Sequence, residues 1–314
     1  VPGSTVPTKY WQKLPDGKIQ CVLCPRHCKL VEGQRGFCFV RACQNNQIVL
    51  TTYGRSSGFC VDPIEKKPLF HFLPGTPVLS FGTAGCNLDC KFCQNADISH
   101  SREMDTLADA ASPATIAKTA AELRCRSVAF TYNEPAIFHE YAIETAKECR
   151  KLGIKTVAVT AGYVCAEPRE EFYKWMDAAN VDLKGFTEDF YKKYTGSELR
   201  PVLETLKYIK KETSTWLEIT TLLIPGLNDS EKEMNDMTNW IVKNLGSDVP
   251  LHFTAFHPAH KLLDIPPTPV ATLLKARKIA LANGIRHCYI GNVENAEGET
   301  TFCHHCGKEL IGRG

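Results

Sequence analysis

Residues 78–94 read V-L-S-F-G-T-A-G-C-N-L-D-C-K-F-C-Q and predict a short strand followed by a tight loop that carries cysteines. The first four residues form an apolar run between a proline and a glycine, which is typical of a buried strand. Gly82 and Gly85 then allow backbone conformations that a tight loop requires. The loop contains three cysteines in a C-x3-C-x2-C spacing: Cys86, Cys90 and Cys93.

Three thiols within eight residues can bind a single inorganic centre, because soft sulfur ligands select zinc, copper(I) or iron–sulfur clusters. A structural zinc site or an ordinary four-iron cluster uses four protein ligands. Three cysteines therefore leave one metal position for a ligand that is not protein. Three alternatives stay open: a zinc site with a distant fourth ligand, a redox pair of Cys90 and Cys93, or cysteines scattered through a core.

The spacing C-x3-C-x-aromatic-C, with Phe92 as the aromatic residue, resembles the signature of the radical S-adenosylmethionine (SAM) enzymes. This resemblance implies that Cys86, Cys90 and Cys93 hold a 4Fe–4S cluster. It also implies that the fourth iron binds the amino and carboxylate groups of SAM. An electron from the cluster then cleaves SAM to a 5′-deoxyadenosyl radical, which abstracts hydrogen from a substrate.

Composition excludes several classes of partner. The chain has 314 residues, of which 43% are hydrophobic and 23% charged, and this suits one large domain with a small appendage. Its 37 basic and 35 acidic residues give a net charge of +2, so no broad basic surface is available for nucleic acid. The chain shows no apolar run of membrane-spanning length and no signal core in its first twenty residues. We therefore expect a cytoplasmic protein without nucleic-acid or membrane partners.

In a reducing compartment, the fifteen cysteines are better interpreted as metal ligands and core residues than as disulfides. Four near the N-terminus have metal-ligand spacings: Cys21, Cys24, Cys28 and Cys38. Two near the C-terminus form a second C-x2-C knuckle: Cys303 and Cys306. Six others stand alone and are expected to be buried as small apolar residues: Cys43, Cys60, Cys125, Cys149, Cys165 and Cys288.

The two C-x2-C knuckles predict a structural zinc ion that joins the chain termini. Zinc takes four tetrahedral sulfur ligands, and the matched knuckles supply them as Cys21, Cys24, Cys303 and Cys306. The rival arrangement is a local site formed by Cys21, Cys24, Cys28 and Cys38, which leaves the C-terminal pair without a role. Both arrangements remain open from the sequence.

Strands and helices alternate after the cysteine loop. Further strands are predicted at Ser127–Tyr132, Lys155–Thr160, Val181–Leu183, Thr215–Leu223, Leu251–Ala255 and Arg286–Ile290. Helices are predicted at Ser112–Leu123, Pro135–Leu152, Arg169–Ala178, Thr187–Tyr194, Val202–Glu212, Ser230–Asn244 and Val270–Asn283. This alternation indicates right-handed β-α-β units and a parallel sheet.

Six β/α units and a seventh strand are too few for a complete eight-unit barrel. We expect an α/β fold, a partial (β/α)6 TIM-like barrel of the radical SAM type, with a doubly wound open sheet as the alternative. The expected division is a cysteine-rich, metal-stapled N-terminal module (residues 1–75), the barrel (76–292) and a C-terminal C-x2-C knuckle (293–314).

In such barrels the chemistry lies where strands end in loops at the C-terminal face. T-Y-N-E-P after the second strand resembles the segment that receives the SAM amino group, which implies that Glu134 pairs with the ammonium. Glu134 could instead serve as the acidic residue of a helix N-terminus. The remaining strand ends are similar to those of pyruvate formate-lyase activating enzymes. They imply that Asp182 and Lys184 contact the ribose or carboxylate, and that His257 lies at the sugar.

An exposed ion pair is the alternative interpretation of Asp182 and Lys184. Thr160 precedes a glycine at which a ligand could approach the backbone closely. The expected cofactor-binding residues are Phe92, Gln94, Asn133, Glu134, Thr160, Asp182, Lys184 and His257.

The combined motifs are similar to those of the AmmeMemoRadiSam-type radical SAM proteins, which are homologous to the activating enzymes. The resemblance implies an oxidoreductase that abstracts hydrogen, with a glycyl radical enzyme as the leading substrate and flavodoxin or ferredoxin as electron donor. A small metabolite or another partner protein is the alternative substrate. A zinc-binding module without catalytic activity is the alternative from a different class.

Overall fold

The computed structural model describes residues 4–100, 107 and 109–313. The part before the central sheet consists of short antiparallel strands, six of which form two three-stranded sheets. A small apolar core that includes Tyr10, Ile19, Leu30 and Ile48 holds these sheets together. The strands are β1 (Val6–Pro7), β2 (Trp11–Lys13), β3 (Ile19–Cys21), β4 (Lys29–Leu30), β5 (Arg41–Gln44), β6 (Gln47–Leu50) and β7 (Arg55–Ser56).

An eight-stranded sheet forms the centre of the molecule, in the order β16-β15-β14-β13-β12-β11-β9-β8. All neighbouring strands are parallel except β8, which pairs antiparallel with β9. Outside this sheet, β10 pairs with β7, and β17 with β18. The strands are β8 (Gly58–Pro63), β9 (Pro77–Gly82), β10 (Asp109–Ala110), β11 (Ser127–Phe130), β12 (Lys155–Thr160), β13 (Ala178–Asp182), β14 (Trp216–Leu223), β15 (Leu251–Ala255), β16 (Cys288–Gly291), β17 (Thr301–Phe302) and β18 (Glu309–Ile311).

Helices connect the parallel strands, and polar side chains cap the N-termini of some of them. Ser112 accepts a hydrogen bond from the backbone N–H of Thr115, and Pro113 occupies the first turn of its helix. Ser230 caps another helix through Glu233. The helices are α1 (Ala96–Ser99), α2 (Pro113–Glu122), α3 (His139–Lys151), α4 (Ala166–Tyr173), α5 (Glu188–Phe190), α6 (Leu199–Glu212), α7 (Glu231–Leu245), α8 (Val270–Ala282) and α9 (Ala296–Glu299).

The parallel strands follow one another across the sheet in chain order. A doubly wound sheet would reverse its strand order at a switch point, which this sheet does not do. Right-handed crossovers that all run in one direction place the helices on one face and curl the sheet into an incomplete barrel. The predicted α/β fold with a mainly parallel sheet is confirmed, and the doubly wound alternative is wrong.

Three local features differ from the predicted elements. The antiparallel strand β8 was not predicted, because its sequence shows no clean alternation of apolar and polar residues. Helix α4 begins at Ala166 rather than Arg169, since Pro168 is tolerated in a first helical turn. Helix α5 continues into a π-helical turn at Tyr191–Thr195. Among the described helices, none has both the length and the apolar character needed to cross a membrane.

Candidate active site

The loop after β9 presents the three cysteines of the C-x3-C-x2-C motif. Gly85 has a φ of +77°, and a Cβ there would lie 2.0 Å from the carbonyl oxygen of Cys38, so only glycine fits. The Asn133 side chain accepts from the N–H of Thr83 at 3.0 Å and donates to the carbonyl of Gly85 at 2.9 Å. Asn133 therefore holds the backbone of this loop, which we name the cluster loop (residues 83–95).

All three cysteines of the cluster loop line one cavity of about 300 Å³ at the C-terminal ends of the parallel strands. Burial raises the pKa of Cys86, and the neighbouring Cys90 and Glu134 charges act in the same direction. Burial also raises the pKa of Cys90 to about 12, against the opposing charge of Lys184. These thiols therefore stay protonated at neutral pH until a cationic centre displaces the protons.

Three cysteines around one cavity form the donor set that a 4Fe–4S cluster with one open iron position requires. Within the described residues, no three His, Cys, Asp or Glu side chains lie close enough together to hold a metal ion without moving. The hydroxyl of Ser99 lies 3.0 Å from Cys93 Sγ, within reach of a hydrogen bond to this sulfur.

Glu134 lies in the same cavity and is only 3% exposed. Its carboxylate accepts hydrogen bonds from Thr160 Oγ1 at 2.6 Å, the Ala161 N–H at 2.7 Å and the Ala136 N–H at 3.0 Å. Burial raises the pKa of Glu134, while these hydrogen bonds lower it by a smaller amount. The residue caps the 3₁₀ turn that follows it, and it also presents a carboxylate to the cavity.

Asp182 and Lys184 follow β13 and form an ion pair with a distance of 2.8 Å between Nζ and Oδ2. Burial disfavours the charge on Lys184, but the adjacent Asp182 carboxylate outweighs this and raises the lysine pKa. The Lys184 ammonium also lies 5.9 Å from the ring centroid of Phe92 in the cluster loop. Both charges line the cavity and can serve a ligand that carries an ammonium and a carboxylate.

Several residues of the cavity wall were not predicted. Tyr132 has a φ of +69°, a backbone conformation that favours glycine, and it lines the cavity. Thr220 lines the cavity with a buried hydroxyl that has no hydrogen-bond partner within the described residues. Such an atom is expected where a polar ligand supplies the partner. Lys66 and Asn292 complete this side of the wall, and no sequence motif marks them.

Of the predicted cofactor-binding residues, all but one line this cavity. Phe92, Gln94, Asn133, Glu134, Thr160, Asp182 and Lys184 are among its lining residues. His257 is the exception, because its side chain is exposed and directed toward the carbonyl of Asn292, with Nε2 3.4 Å from the oxygen. His257 is therefore not among the lining residues of this cavity, whereas Asn292 is, and the contact of His257 with the SAM sugar stays a prediction.

The two C-x2-C knuckles of the predicted zinc site across the termini lie in different surroundings. Cys303 and Cys306 belong to the β17–β18 hairpin, and Arg313 beyond them donates to the carbonyl of Phe70 at 2.6 Å. Cys21 and Cys24 line a small cavity together with Cys28 and Cys38. Neither Cys303 nor Cys306 lines that cavity, and the zinc site across the termini stays a prediction.

Four of the six single cysteines are buried as expected. They are Cys43, Cys125, Cys149 and Cys288. Cys165 is half-buried, and Cys60 is exposed on β8. The expectation for Cys60 is therefore wrong, because β8 was not recognised as an outer strand.

A second cavity of about 840 Å³ adjoins the first, and five residues line both: Lys66, Pro68, Tyr132, Thr254 and Asn292. It extends between β16 and the segment that follows β8, and His252 and Ile290 form part of its wall. We name it the lateral cavity. Its rim carries charges of both signs: Asp62, Glu65, Lys66, Lys67, Glu299 and Arg313.

Comparison with known proteins places this site in a family. The model of the radical SAM superfamily matches residues 81–238. An uncharacterised protein of Methanocaldococcus jannaschii is 41% identical over 304 residues, covering 97% of this chain and 90% of that protein. The pyruvate formate-lyase-activating enzyme of Clostridium pasteurianum is 28% identical over 177 residues, covering 55% of this chain and 72% of the enzyme.

Solved structures agree at the level of the fold. A radical SAM methyltransferase from Sphaerobacter thermophilus superimposes with a TM-score of 0.56 at 12% identity, covering 92% of this chain and 77% of that one. SuiB from Streptococcus suis, bound to precursor peptide SuiA, superimposes with a TM-score of 0.54 at 16% identity, covering 68% of this chain and 48% of SuiB. With the cysteine motif at the end of β9 and the family match across the sheet, the chain belongs to the radical SAM superfamily.

Proposed function

We propose that this protein is an activating-type oxidoreductase that abstracts a hydrogen atom from a glycine-bearing segment of a partner protein. One observation carries the proposal. The three cysteines of the motif share one cavity with Glu134, Asp182 and Lys184, and this cavity adjoins a larger lateral one. The arrangement can hold a cluster and SAM at the inner position and a substrate at the outer position.

Family membership implies a 4Fe–4S cluster and SAM. In the proposal, Cys86, Cys90 and Cys93 hold the cluster, which when bound supplies the electron that cleaves SAM to the 5′-deoxyadenosyl radical. Glu134 presents its carboxylate to the ammonium of SAM, and the Lys184–Asp182 pair contacts the carboxylate and ribose. Thr220, whose hydroxyl lacks a partner among the described residues, donates or accepts one further hydrogen bond.

The lateral cavity and the named relatives support the proposed substrate class. With a volume of about 840 Å³, the cavity has space for an extended peptide segment beside the SAM position. Relatives named as activating enzymes include those of pyruvate formate-lyase and 4-hydroxyphenylacetate decarboxylase. Reduction by a flavodoxin or ferredoxin in a cytosolic, reducing setting completes the proposal, and all fifteen cysteines are free thiols.

A small metabolite is the second candidate, and the charged rim of the lateral cavity favours it. Lys67 is 4% exposed and forms an ion pair with Asp62 at 2.7 Å. This part of the rim is therefore a buried ion pair rather than a solvated surface. Small-ligand sites are enclosed and carry a few placed polar groups. The cysteine-rich strands β2–β6 do not contribute to this rim among the described residues.

The origin of the hydrogen in 5′-deoxyadenosine tests the proposal. Reduced, reconstituted protein and SAM are incubated with an extract of the source organism grown in deuterated medium, separated into protein and small-molecule fractions. We expect deuterium in 5′-deoxyadenosine only with the protein fraction, where mass spectrometry then locates a glycyl radical or its cleavage product. Uptake only from the small-molecule fraction would replace the proposal with the metabolite function.

The Cys86→Ala variant is the control, because it lacks one cluster ligand and is expected to produce no 5′-deoxyadenosine with either fraction. Cys43→Ala is the matched control, since Cys43 is a free thiol that lies outside the cavity. Cleavage of SAM by the Cys86→Ala variant would overturn the assignment of the cluster ligands.

A further inference from the structure

We propose that Cys21, Cys24, Cys28 and Cys38 together bind one zinc ion that fixes the position of the cluster loop. We name these four residues the cysteine quartet. The site is separate from the SAM cavity and does not involve Cys303 or Cys306. The proposal is independent of the substrate, and it concerns a metal centre that the radical SAM reaction itself does not require.

The cysteine quartet surrounds a cavity of about 10 Å³ beneath the N-terminal strands. This volume corresponds to roughly one water-sized sphere, so it has space for a single ion and none for a four-iron cluster. Three of the thiols are buried and Cys28 is half-buried, which shields a bound ion from solvent. Four cysteines therefore line one small volume, and four thiolates are a ligand set that structural zinc takes.

A backbone N–H group donates to one sulfur of the quartet. The N–H of Phe37 lies 3.4 Å from Cys28 Sγ. Cys28 is the half-buried member of the quartet, and this donor stabilises the thiolate form that a metal ligand takes.

A buried cation also accompanies the quartet. Arg41 is 1% exposed, lines the quartet cavity and interacts electrostatically with Cys21 and Cys38. Four thiolates and one Zn²⁺ carry a net charge of −2, and the guanidinium of Arg41, which also pairs with Glu140, lies beside them. Zinc binding displaces four thiol protons to water and leaves the oxidation states of zinc and sulfur unchanged.

The quartet adjoins the cluster loop directly. The carbonyl of Cys38 occupies the space beside Gly85, and the Asn87 side chain interacts with Cys24. Arg26, two residues after Cys24, donates through Nε to the carbonyl of Asn87 at 2.5 Å. Asn87 follows Cys86 in sequence, so a rigid quartet fixes the backbone from which the first cluster ligand projects.

In the proposal, zinc binding draws the four sulfurs of the quartet closer together. Across the described residues, the sulfurs are not drawn together as a finished metal site at the quartet, and the same is true of Cys86, Cys90 and Cys93. The two sites therefore require the same kind of movement, in which thiols rotate toward a metal with Zn–S bonds of about 2.3 Å.

Metal analysis of a variant without the SAM cluster tests the proposal. In the Cys86→Ala/Cys90→Ala/Cys93→Ala variant, purified without added metal, we expect about one zinc and no iron per chain. X-ray absorption of the same sample should show four sulfur neighbours at about 2.3 Å. Iron in place of zinc, nitrogen or oxygen in the zinc shell, or less than a fifth of an equivalent of zinc would overturn it.

Single substitutions in that background assign the ligands. Cys28→Ser should lose zinc, whereas the matched control Cys43→Ser should keep it, because Cys43 is buried in the same strands but outside the quartet cavity. The Cys303→Ser/Cys306→Ser double variant should also keep its zinc. Loss of zinc in that variant would support the site across the termini and overturn the quartet.

Two further measurements use proteins in which all four quartet cysteines are present, so a folding defect caused by their substitution cannot affect the result. Cobalt substitution of the cluster-free variant should give the intense visible bands of a tetrahedral tetrathiolate, and a weak octahedral spectrum would contradict the assignment. Removal of zinc with a chelator should increase amide hydrogen exchange at least tenfold in residues 83–95. Unchanged exchange there after zinc loss would overturn the role in positioning the cluster loop.

Discussion

At the scale of single residues, Gly85 lies where the N-terminal segment packs against the cluster loop. In Gly85→Ala the new methyl would meet the Cys38 carbonyl at 2.0 Å, in a left-handed backbone conformation. We expect a loss of about 2–5 kcal/mol in the free energy of unfolding, the sum of the left-handed strain and overpacking, and a lower iron content after reconstitution. Denaturant titration and iron analysis measure both.

Gly33→Ala is the control, because Gly33 has a φ of +83° but no atom within 4 Å of the added methyl. Its cost should be that of the backbone conformation alone, about 1–2 kcal/mol, with normal iron content. Equal effects at the two positions would show that contact with Cys38 does not matter.

Glu134 combines a structural and a binding role. Its oxygens face three donors, so Glu134→Gln turns an amide NH2 toward one of them. We expect a loss of about 1–3 kcal/mol in unfolding free energy and, through the lost charge, a roughly tenfold to hundredfold weaker affinity for SAM. Thermal unfolding and equilibrium dialysis separate the two effects. Unchanged SAM affinity with reduced stability would leave Glu134 as a helix cap only.

At the scale of elements, Arg41 joins strand β5 to the start of α3. Its guanidinium donates to the carbonyl of Ile137 at 3.0 Å and pairs with Glu140 at 2.5 Å, with 1% of the arginine side chain exposed. Arg41→Met leaves the Glu140 carboxylate without its partner, and we expect destabilisation of about 3–5 kcal/mol. Limited proteolysis should then cut first within the N-terminal strands.

Lys9→Met is the comparison for Arg41→Met, because the Lys9–Glu171 pair joins the same strands to α4 through an exposed ion pair. Exposed pairs of this kind contribute about 0–1 kcal/mol. Proteolysis of Lys9→Met at the wild-type rate is therefore expected, and similar rates for both variants would mean that burial of Arg41 adds nothing.

At the scale of the whole molecule, His71 connects the segment after β8 with the far edge of the sheet. Its Nε2 lies 2.6 Å from the hydroxyl of Tyr289 on β16. Burial lowers the pKa of His71 to about 4, against the opposing Glu218 charge, from the ordinary value of 6.5. Between pH 4 and pH 6.5 this histidine is therefore protonated in the unfolded chain but neutral in the folded chain. Its contribution to the free energy of unfolding is complete above pH 6.5 and is lost as the pH falls toward 4.

We expect His71→Phe, which keeps an aromatic ring at this position, to reduce the slope of unfolding free energy against pH between 6.5 and 4. Chemical denaturation at several pH values measures this slope. The wild-type protein, measured at the same pH values, is the reference for this slope. An unchanged slope in His71→Phe would show that other groups dominate acid unfolding.

Much of the barrel could be predicted because its information is local. Each β/α unit can be recognised from its own residues, as an apolar run followed by a helix. The helix that begins with Ser112 and Pro113 is an example. Strand β8 was not predicted because it lies at the outer edge of the sheet. Its exposed residues interrupt the apolar pattern by which a strand is recognised in a sequence. The same exposed position is the reason that Cys60 is not buried.

The sequence by itself determined the family, the cluster loop and the strand-end residues. The spacing of Cys86, Cys90 and Cys93 and the order of the parallel strands depend mainly on residues that are close together in the chain. Only the tertiary structure decided which distant groups meet. It leaves Cys303 and Cys306 outside the small cavity that Cys21 and Cys24 line, places Asn292 rather than His257 at the SAM cavity and forms the lateral cavity. These outcomes depend on contacts across the chain, such as Arg26 with Asn87 and Arg313 with Phe70, and no local pattern encodes them.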